Sequence, residues 1–229
     1  MRIFENINTK NEISVKKSLE LLADKNTGVE DYRQAFNNLG RELGILLASK
    51  SADVNAEEVM LVCASEDADW LARGVEKGLG KGKIPVSVFW SARSVVYNDN
   101  GQKLEISPIV KSYEEPIQKC RLLVVVKSII SSSCVVKTQL TRLIGKIHPE
   151  RIAIMAPVMY KEGLPNLMKE FPQVTCDKFE FLTFAVDEDR TTDGEVIPGI
   201  GGMVYPRLGL GDIKTKNTYI PQMVVERIS

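Results

Sequence analysis

The sequence predicts a single α/β domain built on a parallel sheet flanked by helices on both faces. Short apolar runs of strand length alternate along the chain with segments whose apolar residues recur at helical spacing, the pattern of parallel strands joined by crossover helices. At 229 residues, with 44% hydrophobic and 26% charged residues, the chain also has ordinary proportions for one domain with a sizeable core.

Residues 1–30 are polar and irregular and read as an N-terminal extension, with a short helix around Val15 to Ala23. Residues 31–229 read as the domain itself. Phe36, Leu39, Leu43, Leu46 and Leu47 fall on one face of an amphipathic helix from Tyr32 to Ser49. A buried strand is expected over Val59 to Cys63. Glu66, Asp67 and Asp69 then open a helix, where acids suit the dipole and are expected to face water. Glycines 78, 80 and 82 end that helix, and Ile84 to Trp90 reads as a strand. Residues 91–116 are long, polar and turn-rich, and Asn98-Asp-Asn-Gly101 marks a β-hairpin flap. Further strands are expected at Arg121–Val126, Arg151–Ala156 and Phe179–Val186, with helices at Val135–Lys146 and Leu164–Phe171. The Gly-rich stretch from Pro198 to Asp212 reads as a loop, and Tyr219–Ile228 as an edge strand or a partner-contacting arm.

Composition excludes several classes. Lys+Arg and Asp+Glu stand at 30 each, so no global field favours nucleic acid, and no basic run interleaved with aromatics appears. No apolar run approaches the roughly 20 residues of a membrane span, and the N-terminus lacks a signal-peptide core. Cys63, Cys120, Cys134 and Cys176 are scattered, form no CxxC pair and have one histidine, His148, for company, which argues against a structural metal site. The expectation is a cytoplasmic protein with reduced thiols, binding neither nucleic acid nor membrane.

Two features carry a family likeness. One is Val186-Asp-Glu-Asp-Arg190, followed by Thr-Thr-Asp-Gly-Glu and then Val196-Ile-Pro-Gly-Ile-Gly201. The other is the order of the chain: a Leu-rich helix, a strand-to-helix loop, a flap, a strand–serine-turn–helix unit, and the turn Ala156-Pro-Val-Met-Tyr-Lys-Glu-Gly163. Together, over roughly residues 32–212, these resemble the uracil phosphoribosyltransferases and imply a type I phosphoribosyltransferase-like fold. In that family the Pro-Gly-x-Gly loop binds uracil through its backbone, because a flat ring must lie where any Cβ would collide. The resemblance therefore implies a base pocket at Ile197, Gly199 and Gly201, with Asp187 beside it; the plain alternative is a Gly/Pro turn between strands.

The phosphate-binding parts of the pattern are broken. The family's Val-Asp-Pro-Met-Leu-Ala-Thr-Gly-Gly-Ser is matched here by Val126-Lys-Ser-Ile-Ile-Ser-Ser-Ser-Cys-Val135. Lys127 replaces the ribose-binding carboxylate, while Ser133 and Cys134 replace both glycines. Ser131, Ser132 and Ser133 at a helix start either hold an anion or simply cap the helix. Arg93, in Trp90-Ser-Ala-Arg93, stands one position from the family's flap arginine. Ser65-Glu-Asp-Ala68 takes the place of Arg-Ala-Gly-Leu, so acids stand where pyrophosphate would bind. A diphosphate ligand there would need to bring Mg²⁺ with it. The carboxylates that follow the base loop in the family are absent too, leaving Arg207.

The expectation is a diverged relative without ordinary phosphoribosyl transfer. It would bind a pyrimidine- or nucleotide-like ligand or a protein partner, with Lys127, Ser131, Ser132, Ser133, Cys134, Ile197, Gly199, Gly201, Arg93 and Asp187 as the ligand-binding set. The alternatives are an active enzyme forming a UMP-like nucleoside monophosphate from a base and phosphoribosyl pyrophosphate, or one with altered chemistry on a phosphorylated substrate. The resemblance further implies a homo-oligomer, commonly a dimer.

Overall fold

A computed structural model describes residues 1–92, 94–97, 99–101, 103–132 and 134–228. Arg93 and Ser133, both expected site residues, lie outside the described residues.

The chain opens with β1 (Arg2–Phe4), α1 (Glu12–Ala23) and the long helix α2 (Val29–Lys50). The core strand β2 (Val59–Ala64) runs into a helical segment made of α3 (Ser65–Asp67), one wide turn at Ala68–Ala72, and α4 (Arg73–Leu79). Next come β3 (Val86–Ser91), the hairpin β4 (Ser94–Tyr97) with β5 (Lys103–Ile106), and β6 (Ile109–Glu114). The second half holds β7 (Leu122–Val126), β8 (Ile129–Ile130), α5 (Cys134–Ile147), β9 (Arg151–Met155), β10 (Val158–Tyr160), α6 (Gly163–Met168) and α7 (Gln173–Cys176). It closes with β11 (Phe179–Leu182), β12 (Ala185–Asp187), β13 (Asp189–Arg190), β14 (Val196–Ile197), α8 (Val204–Arg207), α9 (Ile213–Thr218) and α10 (Gln222–Ile228).

The main sheet has the order β11-β9-β7-β2-β3-β6. All its pairings are parallel except that of β6, which returns from the hairpin antiparallel to β3. Both faces are covered, which is why β2, β3 and β7 read as uninterrupted apolar or small residues, every one of them buried. Alternate residues serve opposite cores. Leu61, Cys63, Val124 and Val126 pack with the α1, α2 and α4 side, whereas Met60, Val62, Leu123 and Val125 pack with α5 and α6.

Beyond the ends of β7, β9 and β11 the chain changes sheet. After short breaks it continues as β8, β10 and β12, parallel to one another in a second sheet of order β1-β12-β10-β8. The first 30 residues contribute to this body. β1 adds antiparallel to β12 with Arg2 opposite Asp187, and α1 buries Val15, Leu19 and Leu22. The polar look of this stretch hides both contacts, since β1 gains its partner from a strand far along the chain.

Helices α2 and α4 approach through glycines. A Cβ on Gly44 would lie 2.3 Å from Val75 O, and one on Gly78 would lie 2.1 Å from Arg41 O. The tail departs from expectation: residues 222–228 are helix α10, not an edge strand. The physical reason is Asp69, whose carboxylate accepts from Gln222 N and Met223 N at 2.7 Å each and so caps the helix from a distant segment.

Candidate functional site

The break after β7 places Lys127 at the carboxyl end of a central parallel strand, where ligands of open α/β sheets characteristically bind. Lys127 N donates to Met155 O at 2.9 Å, which fixes the backbone, and the side chain turns inward with 6% exposure. Its ammonium donates to Asp67 Oδ2 at 2.5 Å and to Ser128 Oγ at 2.8 Å, and stands 3.6 Å from Glu66 Oε1. From the far side of Glu66, Lys216 Nζ reaches within 3.4 Å of Oε2 and donates to Ser91 O at 2.9 Å.

Two lysines and two carboxylates thus form one buried, internally neutral chain of charges. Burial pushes the Glu66 carboxyl upward, but Lys127 and Lys216 outweigh it and hold the group below its ordinary value. For Asp67 burial prevails: the carboxyl stays above its ordinary value although Lys127 pulls it down.

The acids expected to face water do not. Asp67 is 2% and Glu66 8% exposed, and Asp69 is spent on capping α10. Local helix-dipole logic missed them because their cations arrive from residues 127 and 216. Mg²⁺ does not fit these residues: Asp67 and Asp69 are already held by ammonium and amide groups, and Glu66 lies between two lysine ammonium groups at 3.6 and 3.4 Å. Among the described residues no cluster of His, Cys, Asp or Glu is placed to hold a metal.

Above the charge chain lies a cleft of about 440 Å³. Glu66, Lys127 and Ser128 face it from the strand ends, Ser91 and Ser107 from the base of the hairpin, and Ser131 and Val135 from the start of α5. The apolar part of the lining includes Val196, Ile200, Val204, Tyr205 and Ile213. Asp193 and Glu195 also line it, so among the described residues the acidic and basic side chains facing the cleft are Lys127 and Lys216 against Glu66, Asp193 and Glu195. A second, open hollow of about 490 Å³ lies along α4 and α10. Four of its charged side chains pair with one another, Arg73 with Glu226 at 3.0 Å and Arg227 with Glu76 at 2.6 Å, and Lys77 and Lys83 also line it.

The Pro-Gly-x-Gly loop is fixed from beneath. Asp187, fully buried, accepts from Arg2 Nε at 2.7 Å, Arg2 Nη2 at 2.8 Å and Gly199 N at 2.8 Å. Tyr32 donates to Ile200 O at 2.8 Å, and Arg207, 4.2 Å above the Tyr32 ring, donates to Gly201 O at 3.2 Å. Gly199 and Gly201 both have positive φ, and a Cβ at Gly199 would lie 2.2 Å from Val196 O. These glycines are required by the loop itself, whatever it binds.

Of the expected residues, Lys127 and Ser131 line the cleft. Gly199 and Gly201 flank Ile200, which lines it, but do not themselves face it, while Ile197 is 46% exposed away from it. Asp187 lies beneath the loop in the Arg2 clamp. Ser132 and Cys134 are half-buried outside the lining. Sequence reasoning missed Lys216, Ser91 and Ser107. One signal for Lys216 was present: Asp212 precedes Thr215 by an N-cap spacing, and it accepts from Thr215 N at 2.8 Å to start the helix that carries the lysine.

No protein-family model and no curated protein matches the sequence. Solved structures do. The AQ2163 protein from Aquifex aeolicus is 17% identical, with 90% of this chain and 97% of that one aligned at a TM-score of 0.64. A hypothetical protein from Neisseria gonorrhoeae with bound ppGpp is 14% identical over 68% of this chain and 80% of its own, at 0.48. The hypoxanthine-guanine phosphoribosyl transferase of L. donovani is 9% identical over 69% and 81%, at 0.42. At these identities the likeness concerns the fold alone: a mixed α/β architecture with a mostly parallel sheet between helices.

Proposed function

We propose that the chain is a diverged relative of the uracil phosphoribosyltransferases that binds a nucleobase- or nucleoside-like ligand in the 440 Å³ cleft and does not carry out ordinary phosphoribosyl transfer. The observation that carries this reading is the charge chain Lys216–Glu66–Lys127–Asp67 at the strand ends. Phosphoribosyl pyrophosphate is a multiply charged anion, and binding it requires unspent cations or a metal. Here both lysines are spent on internal carboxylates, and among the described residues the remaining charges on the lining are acidic. Without favourable contacts to the departing pyrophosphate, the transition state gains little over the ground state. The apolar wall of Val196, Ile200 and Tyr205 suits a flat ring instead.

Incubating the full chain with labelled uracil, phosphoribosyl pyrophosphate and Mg²⁺ tests the reading, with no UMP formed above the protein-free blank as the expected result. Steady UMP production would overturn it. Calorimetric titration is expected to show saturable heat with a nucleobase or nucleoside and none with phosphoribosyl pyrophosphate. Self-association belongs to the same proposal. Ile220 and Ile228, 52% and 67% exposed near the C-terminal helix, supply apolar surface for it, and light scattering at a monomer mass would remove it.

A further inference from the structure

Three buried polar atoms on cleft-lining residues are left short of partners among the described residues: Glu66 Oε2 has only the Lys216 ammonium at 3.4 Å, and Ser91 Oγ and Ser107 Oγ have none. They arrive from three separate places, the head of α3, the end of β3 and the turn after β5. Their residues are 8%, 8% and 2% exposed. Buried polar groups in folded proteins are almost always paired, and two orphan hydroxyls with an under-satisfied carboxylate oxygen on one cavity mark a place where a ligand completes the bonding.

The chemistry of the three atoms and their neighbours narrows the partner. Glu66 Oε2 can only accept. The serine hydroxyls both donate and accept, and the lysines at 216 and 127 only donate. A phosphate or carboxylate would satisfy the donors but would set its oxygens against Glu66. An ammonium would satisfy Glu66 but would stand beside Lys216, whose own ammonium is 3.4 Å from that oxygen. A hydroxyl donates to the carboxylate while accepting from a serine or lysine, and it adds no charge to a chain that is already balanced. Two adjacent hydroxyls use the three atoms together.

We infer that this end of the cleft binds the vicinal diol of a neutral, ribose-type ring. The inference rests on the ligand-binding reading above and narrows it, from nucleobase- or nucleoside-like ligands in general to the ribonucleoside itself. A free sugar shares the diol chemistry, so the test must separate the two sources.

The test is calorimetric titration of the full chain with the four common ribonucleosides, their 2′,3′-dideoxy counterparts, the free bases and D-ribose. A ribonucleoside is expected to bind at least roughly tenfold more tightly than its dideoxy form, the loss that follows from unpaired buried hydrogen-bonding groups. Ser107→Ala and Ser91→Ala are each expected to weaken the ribonucleoside several-fold, leaving the free base's affinity and the melting temperature unchanged. That split distinguishes a contact from a folding defect. Equal affinity for ribo- and dideoxynucleoside would overturn the diol site while leaving the nucleobase reading standing. Binding of D-ribose with no response to any base or nucleoside would support the diol site and overturn the nucleobase reading. Silence from every ligand in the panel would overturn both.

Discussion

Asp187 and Asp67 are both buried aspartates held by a basic side chain, yet their surroundings differ in kind. Asp187 spends one oxygen on Arg2 and the other on Arg2 and Gly199 N, and Arg2 Nη2 also donates to Gly199 O at 2.7 Å. The assembly closes on itself and holds the Pro-Gly loop against β12. Asp67 belongs to an open chain that runs through Lys127 and Glu66 to Lys216, and Glu66 Oε2 at its cleft side has only the Lys216 ammonium at 3.4 Å among the described residues. A completed polar assembly marks architecture, whereas an uncompleted one beside a cavity marks a place for something else to bind.

Single and paired substitutions separate the two assemblies most strongly. Asp187→Ala strands a guanidinium and an amide, and Lys127→Met strands Asp67 and leaves Glu66 with Lys216 alone; each is expected to cost about 3–5 kcal/mol in urea unfolding. The paired replacements should then diverge. Lys127→Met with Asp67→Leu removes the closest ion pair as a unit and is expected to recover most of the loss. Arg2→Met with Asp187→Leu recovers less, because Gly199 N and O lose their partners as well. Equal recovery would erase the distinction.

A middle-sized effect probes the scaffold beneath both sites. Gly44→Ala puts a methyl group against Val75 O and is expected to cost about 1–3 kcal/mol, with no change in ligand affinity.

Acid titration gives a smaller effect with a definite sign. Glu66, depressed in the folded state, contributes stability that is present above its ordinary value near 4.5 and is lost as pH falls through the lower folded value. Asp67, raised in the folded state, works the other way: its contribution is present below its ordinary value near 3.8 and is lost as pH rises through the higher folded value. Glu66→Gln is therefore expected to flatten the loss of unfolding midpoint below pH 4.5, and Asp67→Asn to leave that loss steeper. At the small end, Ser107→Ala removes a hydroxyl that has no hydrogen-bond partner among the described residues and is expected to shift stability by no more than about 0.5 kcal/mol.

Much of the sheet was legible because fully buried parallel strands leave a plain mark. Runs such as Val59–Ala64 and Leu122–Val126 have no other ready reading, and the Asn-Asp-Asn-Gly turn announced the hairpin. What stayed hidden depends on distant partners. The β1 strand is specified by its pairing with β12, and α10 by a carboxylate in the segment after β2. Within the site, Lys127 and Ser131 could be named in advance because they interrupt a recognisable strand-to-helix loop. The serines at the hairpin base and Lys216 could not, since no local pattern says that hairpin, strand end and C-terminal helix meet over one cleft. Asp187 was visible as a motif residue, but its role depends on Arg2, at the opposite end of the chain.

The most direct measurement is a crystal structure of the full chain soaked with a ribonucleoside. The account predicts the ring against Val196, Ile200 and Tyr205, both ribose hydroxyls within hydrogen-bond reach of Glu66, Ser91 and Ser107, and the Lys127–Asp67 pair intact. Phosphoribosyl pyrophosphate bound in that cleft from a competing soak, with Lys127 swung from Asp67 onto its phosphates, would contradict it.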